Sequence, residues 1–293
     1  MIRPPFLFPA VNKKNDYADE ESGNRPIGVF DSGIGGLTVV KALRDLLPSE
    51  KIIYLGDTAR VPYGSRSPST VERYSVEIAG MLMERNAKAI VVACNTASSV
   101  ALPKLERSCA VSVIGVIRPG AEAAVAVTRN GHIGVIGTRA TIKSGAYEKT
   151  LRTLDASLKV TSHACPLLVP LIEEGWLEDP LTDRVIARYL EPLIEKGIDT
   201  LVLGCTHYPL LAPAIQRALE GEVTLVDSAR NCALAVQQLL NQQSIQSTTA
   251  GDGGLEVALT DAPDNFLRVA KEALALEIGE VEVCEVLHRA APG

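Results

Sequence analysis

The chain has 293 residues, of which 46% are hydrophobic and 22% are charged, and its formal net charge is −6. This composition is typical of a globular protein with a large core, and it excludes wholesale disorder. The negative charge offers no basic surface for nucleic acid or anionic lipid, and no apolar run is long enough to cross a bilayer. Residues 1–26 are predicted to form a flexible tail without a secretion signal. We therefore expect a cytoplasmic protein with neither nucleic-acid nor membrane partners.

The cysteines and histidines are too scattered for a metal site or a disulfide framework. No CxxC pair occurs, and the four histidines show no HxxxH or HExxH spacing. Zinc ligands usually come in such close pairs, so we predict no metal. Most of the thiols are expected to be inert core residues. The six cysteines are Cys94, Cys109, Cys165, Cys205, Cys232 and Cys284.

From residue 27 onward, short apolar runs alternate with helical patterns. Strands are predicted at residues 27–30, 51–55, 89–93, 111–116, 132–136, 157–164, 200–203 and 223–226. Helices are predicted at residues 37–47, 71–85, 143–154, 182–195 and 229–242. A polar loop and a final strand–helix–strand segment follow. Apolar strands that alternate with helices indicate α/β architecture, with parallel sheets covered on both faces.

The chain also repeats itself weakly. The sequence IGVF at residues 27–30 is echoed by IGVI at 133–136, and IVVACNT at 90–96 is echoed by LVLGCTH at 201–207. Two matches in the same order and at nearly the same separation suggest duplicated halves. We therefore predict two similar parallel-sheet α/β domains related by pseudo-twofold symmetry, with the active site between them. The first domain would comprise residues 27–117 and 227–288, and the second residues 118–226.

The echoed cysteines are candidates for chemistry. Cys94 and Cys205 each follow an apolar strand and precede a predicted helix. Ligands of parallel sheets bind beyond the carboxyl ends of strands, where the first N–H groups of a helix can hold an anion. The positive helix end also lowers the pKa of a thiol. Further donors and acceptors follow each thiol: Asn95 and Thr96 in the first half, Thr206 and His207 in the second. This arrangement predicts two thiols that flank one substrate.

Three other loops follow strands and could complete a pocket. The segment DSGIGGL at residues 31–37 is neither GxGxxG nor a P-loop, and Asp31 would repel a pyrophosphate. Asp31 would suit a cationic amino group, or it could steer the proton of a nearby thiol. The loop GDTARVPYG at 56–64 could form a pocket wall, and hydroxyls of GTRAT at 137–141 could receive a carboxylate.

Four of these segments together resemble the motifs of glutamate racemases. They are IGVFDSGIGGLTV at residues 27–39, DTARVPYG at 57–64, ACNTAS at 93–98 and GCTHYPL at 204–210. The resemblance extends from about residue 27 to 286. It implies a cofactor-independent isomerase that interconverts L- and D-glutamate and supplies D-glutamate for peptidoglycan. Family members form dimers in several arrangements, so a homodimer is an expectation here.

The resemblance also implies roles for individual residues. Cys94 and Cys205 would be the two acid/base residues, with Asp31 assisting Cys94, and with His207 and a glutamate assisting Cys205. The helper glutamate is Glu173 or Glu174, and we prefer Glu173 because it directly follows the apolar run. The implied substrate contacts are Asp31, Ser32, Tyr63, Gly64, Asn95, Thr96, Thr138, Thr206 and His207.

Two thiols on opposite faces of an α-carbon could invert it, since one removes a proton while the other delivers one. Two alternatives stay open at this point. One is an aspartate racemase or a related two-cysteine isomerase. The other is a catalytically silent amino-acid-binding regulatory protein on the same scaffold.

Overall fold

The computed structural model describes residues 23–249, 251–261 and 266–286. Residues 1–22 of the expected tail lie outside this range. The described strands form two parallel sheets, ordered β10-β9-β2-β1-β3-β4 and β6-β5-β7-β8. The strands are β1 (Ile27–Asp31), β2 (Ile52–Gly56), β3 (Ala89–Val92), β4 (Ser112–Gly115), β5 (His132–Gly137), β6 (Lys159–Ala164), β7 (Thr200–Gly204), β8 (Thr224–Asp227), β9 (Leu255–Leu259) and β10 (Val281–Val283).

Helices connect the strands, and none in the described part of the chain is long and apolar enough to span a membrane. They are α1 (Leu37–Leu46), α2 (Pro68–Glu84), α3 (Asn95–Val100), α4 (Leu102–Ser108), α5 (Ile117–Val127), α6 (Arg139–Ser144), α7 (Ala146–Leu154), α8 (Leu168–Glu173), α9 (Pro180–Ile194), α10 (Ala212–Ala218), α11 (Ser228–Gln243) and α12 (Phe266–Arg268), which continues as a π-helical turn over Val269–Ala273. Three short 3₁₀ helices lie at Thr58–Arg60, Tyr63–Ser65 and Tyr208–Leu211.

The two sheets share one strand order. In the first sheet β1 lies between β2 and β3, with β4 beyond β3; in the second, β5 lies between β6 and β7, with β8 beyond β7. The echoed sequences therefore occupy matching strands, β1 with β5 and β3 with β7. The prediction of two similar parallel α/β units is confirmed.

Alternation along each strand explains why both faces of a sheet are covered. Val29 enters a core with α1, α11 and α12, whereas its neighbour Phe30 enters a core with α2 on the opposite face. In the second sheet, Val135 packs towards α5 and α7, and Ile136 packs towards α9. Successive side chains of a strand point to opposite faces, so an uninterrupted apolar run fills two cores.

Helix α11 links the two halves. It follows β8 of the second sheet, yet its buried residues Cys232, Ala233 and Val236 belong to the core of the first sheet. Its N-terminal part also packs against α5. The chain thus returns to the first sheet through α11 and then adds β9 beside β2.

One local prediction was wrong, and one needs refinement. Residues 143–154 were expected to form one helix, but Gly145 has φ +66° and ends α6 before α7 begins. Glycine adopts this left-handed conformation without a Cβ clash, so it ends helices readily. Cys205 precedes a helix as predicted, but this helix starts as a 3₁₀ helix and α10 begins only at Ala212. Pro213 lies in the first turn of α10, a position that proline favours.

Candidate active site

A cavity of about 270 Å³ lies at the carboxyl ends of the strands, between the two halves. Both halves contribute to its lining, as expected for a site between duplicated units. The sequence-predicted residues that line it are Ser32, Tyr63, Gly64, Cys94, Asn95, Thr96, Thr138, Glu173, Cys205, Thr206 and His207. Asp31 is the one predicted site residue that is not part of this lining.

Cys94 lies at the N-cap position of α3, buried at the end of β3. Its Sγ accepts a hydrogen bond from the backbone N–H of Ala97 at 3.5 Å and lies 3.7 Å from Oγ of Ser32. Burial and, second, the charge of Asp31 raise the pKa of Cys94 to about 12, although the hydrogen bonds with the Ala97 N–H and Ser32 lower it. The lowering expected from the helix end is therefore outweighed, and these surroundings favour the protonated form of Cys94.

Asp31 acts on Cys94 from outside the cavity lining. It is fully buried at the end of β1, and its Oδ2 accepts a hydrogen bond from the N–H of Gly33 at 2.9 Å. Its Oδ1 has no hydrogen-bond partner within the described ranges. The hydroxyl of the buried Tyr54 donates to the Gly33 carbonyl at 2.7 Å and so fixes the same turn. Burial, Asp31 and Cys94 all raise the pKa of Tyr54, so this hydroxyl stays a donor.

Cys205 has an imidazole as its partner. The Nδ1 of His207 lies 3.8 Å from Sγ of Cys205, and its Nε2 lies 3.1 Å from Oε1 of Glu173. Burial lowers the pKa of His207, but the hydrogen bonds to Cys205 and Glu173 outweigh it and raise the pKa to about 10. The three side chains form a line from carboxylate to imidazole to thiol. Glu174 caps the end of α8 and does not line the cavity.

Three threonine hydroxyls from both halves meet beside the cavity, and two of them, those of Thr96 and Thr138, line it. Oγ1 of Thr96 lies 3.0 Å from Oγ1 of Thr138 and 3.3 Å from Oγ1 of Thr141. Thr138 also caps α6, because its Oγ1 accepts from the N–H of Thr141 at 3.2 Å. Neutral hydroxyls beside a helix N-terminus suit an anionic group such as a carboxylate.

The loop after β2 forms one wall, and a buried carboxylate holds it. Asp57 accepts hydrogen bonds from Nε of Arg60 at 2.8 Å and from Oγ1 of Thr260 at 3.0 Å, and the hydroxyl of Tyr63 also donates to it. The hydroxyl of Tyr63 is thus used within the protein. Gly64 lies against Thr138 of the other half, where a Cβ would approach the threonine side chain to 3.0 Å.

Sequence reasoning missed several residues of this region. Tyr54 and Asp57 reach the site through contacts within the first half. Tyr147 bonds to Asn95 across the two halves, and no local pattern marks such a pair.

The remaining cysteines do not line the cavity. They are Cys109, Cys165, Cys232 and Cys284, and all are free thiols. Over the described ranges, no three His, Cys, Asp or Glu side chains are arranged to hold a metal ion.

Comparison with known proteins places this cavity in a family of isomerases. The sequence pattern of the Asp/Glu/hydantoin racemase family matches residues 37–238. This is more than half of the chain, and the match contains Cys94 and Cys205. The chain belongs to the Asp/Glu/hydantoin racemase family.

Individual relatives narrow the assignment within that family. A glutamate racemase of Geobacter metallireducens is 49% identical over 257 residues, which cover 88% of this chain and 95% of the relative. A glutamate racemase isoform of Bacillus anthracis superposes with a TM-score of 0.85 at 41% identity, covering 89% of this chain and 97% of that one. The glutamate racemase of Francisella tularensis, solved with D-glutamate, has a TM-score of 0.85 at 37% identity, covering 90% and 99%. The prediction of an isomerase of the amino-acid racemase type, with a small-molecule substrate, is confirmed.

Proposed function

We propose that the protein interconverts L-glutamate and D-glutamate without a cofactor, using Cys94 and Cys205 as its two acid/base groups. The observation that carries this proposal is geometric. Two buried thiols, one from each half, line the same cavity, and each has its own polar partners. The names of the relatives support glutamate as the substrate.

In this mechanism one thiolate removes the α-proton of the substrate, and the other thiol delivers a proton to the opposite face. The abstracted proton stays on the first sulfur, and the second sulfur becomes a thiolate. Because its pKa is raised to about 10, His207 is an imidazolium at neutral pH. It lies beside Cys205, where its positive charge stabilises the thiolate, and Glu173 orients the ring. Asp31 and Ser32 would tune the Cys94 thiol from the other side.

The carbanion must be stabilised without an electron sink. We propose that uncharged donors around the α-carboxylate provide this, namely the hydroxyls of Thr96 and Thr138 and the amide of Asn95. Preorganised donors are effective in a buried cavity because they need no reorganisation during the reaction. Ser32, Tyr63, Gly64, Thr206 and His207 would complete the contacts with the substrate.

The wider role follows from the resemblance. We propose that the D-glutamate supplies peptidoglycan synthesis in the cytoplasm, where free thiols persist. We also propose that residues 27–117 and 227–288 form one domain and residues 118–226 the other, because α11 contributes to the core of the first sheet. The expected homodimer can be checked by measuring the mass of the protein in solution.

The first test is polarimetry of L-glutamate with the purified protein and no added cofactor. The optical rotation should fall to zero as the racemic mixture forms. A parallel assay with L-aspartate should show a much lower initial rate. A flat rotation with L-glutamate over hours would instead favour the silent binding protein, and faster aspartate turnover would favour an aspartate racemase.

The second test follows the α-hydrogen of the substrate by exchange with deuterium. When L-glutamate reacts in heavy water, the D-glutamate should carry deuterium at the α-carbon from the first turnover, because the delivering thiol has exchanged with solvent. L-glutamate recovered at low conversion should stay mostly unlabelled. Proton NMR of the separated enantiomers measures both. Early product that retains its α-hydrogen would contradict a mechanism with two opposed thiols.

A further inference from the structure

A tyrosine of the second half reaches across to an asparagine of the first. Tyr147 lies on α7, and its hydroxyl donates a hydrogen bond to Oδ1 of Asn95 at 2.7 Å. Asn95 is the first residue of α3, directly after Cys94. The Tyr147 ring is buried in the core between α5, α7 and the second sheet, so its hydroxyl is held at a fixed place.

The other end of the Asn95 amide is unused by the protein. The side chain lines the cavity, and the residue is only 2% exposed. Its Nδ2 is buried and has no hydrogen-bond partner in the parts of the chain that the structure describes. A buried donor without a partner is costly, and native structures rarely keep one without a purpose. An anionic ligand in the cavity would satisfy it.

The tyrosine hydroxyl meets the oxygen of the amide and leaves the nitrogen end free. Burial raises the pKa of Tyr147, so its hydroxyl carries a proton at any physiological pH. A donated hydrogen bond needs an acceptor, and in a carboxamide only the oxygen accepts. Oδ1 is therefore held by Tyr147, and the NH₂ group is directed away from it.

We propose that Tyr147 is a positioning residue, which orients the Asn95 amide so that Nδ2 donates to a carboxylate of the substrate. This inference rests on the proposed function, since it takes an amino-acid carboxylate as the ligand. Tyr147 does not line the cavity, so it acts only through Asn95.

A double-mutant cycle tests this. Tyr147→Phe removes one hydroxyl and keeps the ring, and the KM for L-glutamate should rise about tenfold with a smaller change in kcat. In an Asn95→Ala background, the same substitution should have almost no further effect, because the group it orients is gone. Tyr189→Phe is the matched control: it removes a tyrosine hydroxyl outside the cavity and should leave KM unchanged.

Asn95→Asp provides a second route that keeps Tyr147 intact. A carboxylate still accepts from the tyrosine but has no N–H to donate, so KM should rise at least as much as in Tyr147→Phe. The inference would be overturned if the effects of Tyr147→Phe and Asn95→Ala on KM were additive, or if KM were unchanged in either Tyr147→Phe or Asn95→Asp. Either result would leave the proposed racemase function intact, provided that the wild-type protein racemises glutamate. A wild-type protein inactive on glutamate would overturn the proposed function, and this inference with it.

Discussion

Cys94 and Cys205 occupy matching positions in the two halves, yet their polar partners differ. Cys94 faces the hydroxyl of Ser32 and lies near the charge of Asp31, which helps to keep it protonated. Cys205 instead faces the imidazolium of His207, whose positive charge favours a thiolate. The duplicated scaffold thus provides two thiols in different electrostatic settings. We infer that Cys94 is the proton donor of the pair, while the His207 imidazolium stabilises the thiolate of Cys205.

Removing either thiol should abolish racemisation in both directions. In Cys94→Ala and Cys205→Ala, we expect kcat to fall by at least about three orders of magnitude, because each thiol acts in both half-reactions. Cys232→Ala is a control from the core, and its turnover should change little. Polarimetry from both enantiomers gives the rates. Near wild-type turnover in either cavity variant would refute the two-thiol assignment.

The adjacent acids Glu173 and Glu174 should differ sharply. Glu173→Gln should lower kcat far more than Glu174→Gln, because only Glu173 bonds to His207. It should also move the alkaline limb of the pH–rate profile to lower pH. The carboxylate of Glu173 helps to raise the pKa of His207 to about 10, and without it the imidazolium loses its proton earlier. Equal profiles for the two variants would argue against the carboxylate–imidazole–thiol line.

At the scale of elements, the glycine turn between β1 and α1 brings the two halves into contact. A Cβ on Gly35 would overlap Nδ1 of His207 and Oγ1 of Thr206. The hydroxyl of Thr38, in the first turn of α1, donates to the carbonyl of Thr206 at 3.0 Å. The absence of a side chain therefore lets this turn approach the residues that follow Cys205.

Gly35→Ala should consequently impair catalysis more than folding. The methyl group must displace His207 or Thr206, so we expect kcat/KM to fall by about 100-fold, a loss typical of a displacement near 1 Å. Gly279→Ala is the control, because a Cβ there meets no atom within 4 Å. Measuring kcat/KM and the thermal unfolding temperature of both variants separates a loss of catalysis from a loss of stability. A Gly35→Ala enzyme with normal kcat/KM would show that the turn tolerates displacement.

Most elements could be predicted from the sequence because their signals are local. Uninterrupted apolar runs indicated the strands, and β1 and β5 extend only one residue beyond the predicted ends at 30 and 136. The missed break at Gly145 has a different cause. The helical pattern continues across it, and only its left-handed backbone separates α6 from α7.

At the scale of the whole molecule, the repeat predicted the paired sheets but not the contacts between them. The motifs indicated which loops meet, because the carboxyl ends of parallel strands share one edge. The bonds that join the halves, such as Tyr147 to Asn95 and Thr96 to Thr141, depend on how two cores dock. No spacing within the chain encodes that docking.

Because the chain returns to the first sheet through α11, the two sheets are completed at different times during synthesis. The second sheet is contiguous from β5 to β8, whereas the first needs β9, which pairs with β2 some 200 residues after that strand is made. During translation, the four-stranded sheet can close while β2 still presents an open edge. Open edges pair readily with other chains, so this interval is when the nascent protein is most exposed to aggregation. Strand β9 covers the β2 edge of the first half only after the second half has been synthesised.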